Sequence, residues 1–249
     1  MTQPVPDSTD AAWEQWGQRD PYFGVLTEPR FRSDALTDET LRAFFDSGRQ
    51  NVEYLVQTVR RYVIADFCPR TVLDFGCGVG RTLVHFAQIA PDVLGADVSP
   101  AMLRLARRNC EERGLTNVRL VVSDDAFSSI GGTFDLIHSF IVFQHISPKR
   151  GRTLVQELLK RLAPGGVGAL HFLYSKQSYI NTYGAPPAPN LQNRQSAPSI
   201  SGDPEMEMNP YNMNEILFLL QCHGIQRFHA DFTDHGGELG IFLFFHFSP

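Results

Sequence analysis

A short apolar segment followed by a glycine-rich turn constrains the fold of this chain more than any other feature. The segment Thr71–Phe75 reads as a buried strand, and Gly76, Gly78 and Gly80 follow it in a Gly-x-Gly-x-Gly turn. Glycine has no Cβ and tolerates positive φ, so such a turn brings backbone close to a ligand. Residues 81–90 carry apolar side chains at helical spacing. Strand, glycine turn and helix form the first unit of a nucleotide-binding α/β sheet.

Composition excludes several classes of partner. The net charge of −5 and the pI near 5.9 disfavour phosphate-driven nucleic-acid binding. No apolar run approaches the roughly 20 residues of a membrane helix, and the polar N-terminus lacks a signal pattern. The four cysteines have no disulfide or zinc spacing, so we expect reduced thiols, no metal and a cytoplasmic location. The basic groups 60–61, 104–108 and 149–152 are interpreted as solvated helix faces.

Strand and helix signals alternate after residue 70. Strands are expected at 92–96, 118–122, 134–140, 167–173, 225–231 and 240–247, with the last two forming an antiparallel pair. Ser99 and Ser147 each precede a proline and are predicted to begin a helix, and residues 163–166 are predicted to be a turn. The division expected from these signals is an N-terminal lid region, 1–66, and a binding domain, 67–249.

Two segments that lie outside the alternating strands and helices are expected to cover a binding site. Residues 1–36 are predicted to be an irregular aromatic arm that docks from about Trp13 onward. Thr37 is predicted to cap a short helix ending at Phe45, and a second helix is predicted from Ser47 to about residue 66. Residues 175–211 are rich in Pro, Asn, Ser and Gln, and are predicted to be a lid or binding loop.

Five motifs, in order, resemble those of class I S-adenosylmethionine (SAM)-dependent methyltransferases of the small-molecule type. They are Leu73-Asp74-Phe75-Gly76-Cys77-Gly78-Val79-Gly80, Gly95-Ala96-Asp97-Val98-Ser99, Asp124-Asp125, Phe134-Asp135-Leu136-Ile137 and Ala163-Pro164-Gly165-Gly166. The resemblance implies a Rossmann-like, seven-stranded sheet with an antiparallel last strand in an α/β/α sandwich. It also implies SAM as the cofactor.

The resemblance places cofactor-binding residues beyond the carboxyl ends of the strands. Asp97, with Val98 beside it, is predicted to accept the ribose hydroxyls; helping to cap the next helix is the alternative. Asp124 is predicted to meet the adenine amino group. Asp125 is the alternative, both could instead cap a turn, and Ala126 or Phe127 would offer backbone or an apolar face to the ring.

The methionine part of the cofactor is predicted to lie along Gly76, Cys77 and Gly78. Asp74 is unusual at the end of a buried strand, and it suits an amine-bearing ligand better than a pyrophosphate. It could reach the methionine amino group, through water or directly, or only order the loop. Phe140 is predicted beside the methionine chain, with core packing as the alternative. Tyr22 is predicted to close over the cofactor, with simple packing of the arm as the alternative.

His145 is the candidate catalytic residue. It follows the fourth strand near the expected methyl group, and an imidazole there could take a proton from an acceptor hydroxyl. Packing against the sheet is the alternative. His138 is interpreted as a satisfied core or interface histidine, and His171 as a second candidate histidine of the pocket.

The acceptor is predicted to be a small molecule. No Asn/Asp-Pro-Pro-Tyr/Phe motif of amide- and adenine-methylating relatives follows the fourth strand, where residues 139–142 are Ser-Phe-Ile-Val. O-methylation of a hydroxyl on a sugar, glycoside or natural-product scaffold is favoured, with small-molecule N-methylation next. An NAD-dependent oxidoreductase and a non-catalytic SAM-binding partner are the alternatives of other classes. A monomer or homodimer without nucleic-acid or membrane partners is expected.

Overall fold

The core of the fold is one twisted sheet of seven strands, seen in a computed structural model that describes residues 8–177 and 202–248. The strands are β1 Thr71–Phe75, β2 Asp92–Asp97, β3 Val118–Val122, β4 Phe134–Ser139, β5 Leu162–Lys176, β6 Phe228–Asp234 and β7 Glu238–His246. Their order is β3-β2-β1-β4-β5-β7-β6, and β7 runs antiparallel to both of its neighbours. The predicted fold class is confirmed.

Helices cover both faces of this sheet. They are α1 Ser8–Arg19, α2 Pro21–Val25, α3 Asp38–Tyr62, α4 Leu83–Ile89, α5 Pro100–Glu111, α6 Pro148–Leu159 and α7 Met213–Cys222. Consecutive strand residues point to opposite faces, so Phe244 packs in the core under α3 and α4, whereas Phe245 packs in the core under α6 and α7. Within the described residues, none of the helices is long and apolar enough to cross a bilayer.

The N-terminal region is more regular than predicted. The arm expected to be irregular forms α1 and α2, and buried Trp16 docks α1 on the domain. The two helices expected around residues 37–66 are one helix, α3, which begins with a capping box at Thr37. Gly48 does not end a helix there. It lies in the middle of α3, where its missing side chain lets the helix approach the backbone of Arg81.

The C-terminal strands also differ from prediction in their bounds. The predicted turn at 163–166 is the first part of β5, because the backbone of Gly165 and Gly166 exchanges hydrogen bonds with Phe247. Ile225 lies before β6, since its N–H bonds the carbonyl of Leu220 after α7 ends. Residues 202–211 cross the loop after β4, and the remainder of the predicted lid, 178–201, lies outside the described residues.

Candidate active site

A cleft opens at the carboxyl ends of β1 to β4 and encloses about 810 Å³, part of it open to solvent. Its floor comes from the strand ends and the glycine turn, and α1 and the end of α2 form its roof. Of the predicted residues, the cleft is lined by Gly76, Gly78, Asp97, Val98, Asp124, Asp125, Phe140 and His145. Asp74, Cys77, Ala126 and Tyr22 do not line it.

Asp97 joins the glycine turn to α5. Its Oδ2 accepts the Gly78 N–H at 2.8 Å, and its Oδ1 accepts the Ser99 N–H at 2.9 Å. Ser99 in turn caps α5 through a bond from the Met102 N–H. Burial raises the pKa of the Asp97 carboxyl to about 6, against the lowering effect of these two backbone donors. The carboxylate is thus held in one orientation at the cleft wall.

Asp124 and Asp125, the acidic pair after β3, have different hydrogen-bond partners. Asp124 caps its own loop by accepting the Ser128 N–H at 2.9 Å, and this bond lowers the pKa of its carboxyl. Asp125 instead accepts a hydrogen bond from the Nε of Arg150 at 2.8 Å. Phe127 lies below the loop and stacks on Phe75. Asp124 therefore lines the cleft and caps a turn at once, and its predicted contact with adenine stays a prediction.

Asp74 contacts protein groups beneath the cleft. One of its oxygens lies 2.7 Å from the Nδ1 of His138, and the other accepts the hydroxyl of Thr82 at 2.9 Å. Arg81 is buried nearby and donates to the Ser47 hydroxyl. Burial lowers the pKa of Arg81 to about 10, and the charge of Asp74 opposes this shift. These contacts tie β1, β4 and α4 together, as expected if Asp74 orders the glycine loop.

The roof of the cleft is α1, which the sequence interpretation missed. Tyr22, the predicted lid residue, is buried with its hydroxyl 3.3 Å from Asn109 and its ring against Phe44. Asp10 and Trp13 of α1 line the cleft instead. The spacing of Trp13 and Trp16, one helical turn apart, was the available signal for a helix in this region.

Arg150 locks this roof to the rest of the site. Its guanidinium forms two hydrogen bonds with Asp10 of α1, at 2.7 and 2.8 Å, and also pairs with Asp125. Although burial alone lowers the pKa of Arg150, the bonds to the two carboxylates raise it above its ordinary value. The interpretation of this residue as part of a solvated helix face is wrong, because its side chain is only 13% exposed.

His145 lies in the cleft wall, and each of its two ring nitrogens contacts another protein group. Its Nδ1 donates to the carbonyl of Glu207 at 2.7 Å, and its Nε2 lies 3.2 Å from the amide nitrogen of Gln144. Trp13 packs edge-on against the ring. Burial lowers the pKa of His145 to about 4, so the imidazole is neutral near pH 7. Its role as a base stays a prediction.

The turn after β4 has a strained backbone. Ile141 has φ of 54°, a conformation that a β-branched residue rarely adopts. The flanking Phe140 and Val142 both line the cleft, and Val142 packs where a Cβ on Gly76 would be 2.4 Å away. The strained residue thus lies between two residues whose side chains line the cleft.

The predicted motifs fall inside a region that matches a known protein family. Residues 72–166, which run from β1 through the first part of β5, match the family model described as a methyltransferase domain. This match assigns residues 72–166 to the methyltransferase-domain family. The match contains the glycine turn, Asp97, the acidic pair and His145. The resemblance to class I SAM-dependent methyltransferases is confirmed at the level of family and fold.

Known relatives of the methyltransferase domain match only part of this chain. An uncharacterized methyltransferase of Synechocystis sp. is 31% identical over 109 residues, which are 44% of this chain and 50% of that protein. The 2-heptyl-1-hydroxyquinolin-4(1H)-one methyltransferase of Mycobacteroides abscessus is 29% identical over 155 residues, 62% of this chain and 66% of that protein. The matches thus span about half to two thirds of these relatives.

A solved structure shares the fold over nearly the whole length of the chain. Magnesium protoporphyrin IX methyltransferase from Synechocystis, crystallised with bound S-adenosylhomocysteine (SAH), superimposes with a TM-score of 0.66. The superposition covers 97% of this chain and 100% of that one, at 16% identity. This likeness shows that the chain has the fold of that methyltransferase.

Replacing Ile141 by glycine is expected to leave the methyltransferase domain about as stable, or more so. Glycine adopts positive φ without steric cost, which offsets the loss of the side chain. The control is Phe218→Gly in α7, where an exposed position inside a helix should lose about 0.5–1 kcal/mol. Urea unfolding of both variants measures the difference. If both substitutions lowered the free energy of unfolding equally, the backbone of Ile141 would not be strained.

Proposed function

We propose that this chain transfers a methyl group from SAM to a small-molecule acceptor, and that the methylated atom is the oxygen of a hydroxyl. The acceptor class proposed is a sugar, glycoside or natural-product scaffold. The observation that carries the SAM part is Asp97, a buried carboxylate bonded to the backbone of the glycine turn at the wall of one cleft. A carboxylate held there can accept both hydroxyls of a ribose.

The residues of the cleft fit SAM. Glycines line it where side chains would intrude, since a Cβ on Gly76 would meet Val142 at 2.4 Å and one on Gly78 would meet Val25 at 2.9 Å. The methionine part is assigned to this glycine backbone, the ribose to Asp97, and the adenine to the region of Val98 and Asp124. Asp74 and Cys77 would support the site from below, and Ala126 and Tyr22 from its margin.

SAM supplies an activated methyl group, so the protein mainly has to align the acceptor and exclude water. The roof formed by α1, with Trp13 over the cleft, is suited to excluding water. His145 is the proposed base. Its Nδ1 donates to Glu207, so a lone pair remains at Nε2, and that atom could take a proton once it exchanges its contact with Gln144 for the acceptor hydroxyl.

Two observations support a hydroxyl on a small molecule. The substrate named for the Mycobacteroides relative carries a hydroxyl group, and the loop after β4 lacks the Asn/Asp-Pro-Pro-Tyr/Phe motif. The chain is also acidic overall, which disfavours a nucleic-acid acceptor. A location in the cytoplasm and a monomeric or homodimeric state belong to the same proposal.

Calorimetry with SAH and with NADH tests the cofactor, and radiolabelled SAM tests the transfer. We expect SAH to bind and NADH not to bind. The acceptor panel contains 2-heptyl-1-hydroxyquinolin-4(1H)-one, catechol, quercetin, methyl glucoside and the amine tyramine, and mass spectrometry identifies the methylated atom. Binding of NADH without SAH would overturn the methyltransferase proposal. Transfer only to nitrogen would overturn the O-methylation proposal.

The bridge between Arg150 and Asp10 is expected to slow the release of the cofactor. In Asp10→Asn the roof loses a charged partner but keeps a polar one, so stopped-flow measurements should show SAH dissociating about threefold to tenfold faster, as expected for a net loss of about 1 kcal/mol. The matched control is Asp46→Asn, an exposed ion-pair residue of α3 away from the cleft. Equal dissociation rates in wild type and Asp10→Asn would show that the bridge does not hold the roof.

A further inference from the structure

One edge of the sheet exposes large apolar side chains. β6 is the last strand in the order of the sheet, and in the part of the chain that the structure describes it pairs with β7 alone. On this strand Phe232 is 70% exposed and Phe228 is 44% exposed. An edge strand of this kind is a site where a further strand can pair, and proteins usually protect such an edge by covering it.

The hairpin between β6 and β7 shows which backbone groups of β6 face the open edge. The N–H of His235 bonds the carbonyl of Glu238 at 3.1 Å, and the same register continues along the whole of β6. In an antiparallel pair, hydrogen-bonded and non-hydrogen-bonded residue pairs alternate. The N–H and C=O groups of Phe228, Ala230 and Phe232 therefore point away from β7, toward the open edge.

The side chains of these three residues form an apolar row on one face of the sheet, the face covered by α6 and α7. Phe228 lies opposite Phe245 of β7, and Ala230 packs against the core beneath α6 and α7. Phe232 contacts Tyr174 edge-on, with ring centroids 5.7 Å apart. Side chains two and four positions apart in a strand share a face. The open edge thus combines outward backbone groups with an apolar row.

Polar and aromatic side chains lie on the opposite face of β6, beside α3. His229 stacks on Tyr62 of α3 at a centroid distance of 3.9 Å, and Asp231 accepts a hydrogen bond from the hydroxyl of Tyr54. Arg227 directly precedes the strand. The basic side chains thus come before the acidic ones along β6. A strand with this order of charges is complementary to an antiparallel copy of itself.

An antiparallel pair of two β6 strands centred on Ala230 matches all of these features. Phe228 of each copy then lies opposite Phe232 of the other, and His229 lies opposite Asp231. Side chains stay on the same face of the continuous sheet, and the outward groups exchange about six backbone hydrogen bonds. Centring the pair on Asp231 would instead set two carboxylates opposite each other, which is destabilising.

We propose that this chain forms a homodimer in which β6 pairs with β6 of a second copy about Ala230, so that the two seven-stranded sheets become continuous. A second copy is favoured over a different partner because the edge is complementary to itself in its backbone, apolar and charged groups. Tyr54 and Tyr62, about half exposed beside β6, extend the contact on one face. No residue of β6 lines the cleft, so the inference does not depend on the proposed methyl transfer.

Two single substitutions test the interface. In Ala230→Pro an outward N–H is removed, so the bonds between β6 and β7 remain while the central pair between the copies is lost. In Phe232→Lys the changed side chain is mostly exposed in the single chain, so the fold should tolerate it. Sedimentation velocity at micromolar concentrations should show a wild-type dimer. Its dissociation constant should rise about tenfold or more in Ala230→Pro and about 30-fold or more in Phe232→Lys.

A pair of double variants tests the register. Phe228→Glu combined with Phe232→Lys sets opposite charges facing each other across the two copies when the pair is centred on Ala230. The matched control is Phe228→Lys combined with Phe232→Lys, which sets like charges opposite each other in the same register. The first double variant should dimerise about tenfold or more tightly than the second, as expected for two opposite-charge pairs against two like-charge pairs.

Ile89→Glu is the control for a charge added at an exposed apolar position. Ile89 belongs to α4, which packs against β2 near the opposite edge of the sheet. This variant should dimerise as the wild type does. SAH affinity, measured by calorimetry, should stay within about twofold of wild type in all of these variants, because the cleft and β6 share no residues.

The outcomes that would overturn the homodimer are specific. A monomeric wild type, in which another segment of this chain or a different protein covers β6, would overturn it. A wild-type dimer that neither Ala230→Pro nor Phe232→Lys weakens would overturn β6 as its interface. Equal dimerisation of the two double variants would overturn the register about Ala230.

Discussion

Asp97→Asn is expected to weaken SAH binding on the order of 10²-fold or more, because two hydrogen bonds from ribose hydroxyls to a carboxylate are lost or weakened. The substitution also turns an amide N–H₂ toward a backbone donor, since the carboxylate oxygens accept the N–H groups of Gly78 and Ser99. Isothermal titration calorimetry with SAH measures the loss.

The control for this substitution is Asp92→Asn at the other end of β2, where the carboxylate forms an exposed ion pair with Arg119. SAH affinity should not change in this control. An affinity within threefold of wild type in Asp97→Asn would show that Asp97 serves the turn and the cap of α5 but not the ribose.

The same residue gives SAH binding a pH dependence. Burial raises the pKa of Asp97 to about 6, and the ionised carboxylate is the form that accepts two hydroxyls. SAH affinity should therefore be nearly complete above about pH 7, fall to about half of its full value at pH 6, and be roughly a tenth of it at pH 5. The affinity of Asp97→Asn should be flat across this range. Wild-type affinity that is equally flat would place the pKa of Asp97 elsewhere.

Gly48→Ala is expected to destabilise the protein by about 2–3 kcal/mol, the upper part of the range for overpacking a tight contact. The new Cβ would lie 2.0 Å from the carbonyl oxygen of Arg81, and a backbone atom cannot move aside as a flexible side chain can. Helix propensity by itself predicts the opposite sign, because alanine in a helix is about 1 kcal/mol better than glycine. Urea unfolding measures which effect is larger.

The control for Gly48 is Gly131→Ala, where a Cβ would meet no atom within 4 Å and φ is not positive. Its free energy of unfolding should stay within about 0.5 kcal/mol of wild type. A stabilised Gly48→Ala would mean that α3 does not approach Arg81 as closely as described.

Much of the fold could be predicted because its signals are local. The strand β1, the glycine turn and the cap of α5 at Ser99 each depend on residues within a few positions of one another. Placing Asp97 and the glycines together also needed only the rule that parallel strands present their carboxyl ends at one edge. The antiparallel hairpin of β6 and β7 was predicted from its short link, although its bounds were shifted by a few residues.

The errors share a physical cause, which is contact between residues far apart in the chain. The spacing around Gly48 resembles a break between two helices, and only the carbonyl of Arg81, 33 positions later, explains a glycine inside α3. Tyr22 was predicted to be the lid, whereas the packing of α1 and α2 buries it against Phe44 and brings Trp13 to the cleft.

The sequence by itself determined the class of sheet and the meeting of the glycine turn with Asp97, because glycine turns, strand-end carboxylates and caps act over short distances. Only the tertiary structure decided how the site is closed and how the ring of His171 is held. Arg150 joins Asp10 to Asp125, and Thr233 occupies one nitrogen of His171 but not the other. Such pairings depend on where whole helices and strands pack, and no local pattern of residues encodes that.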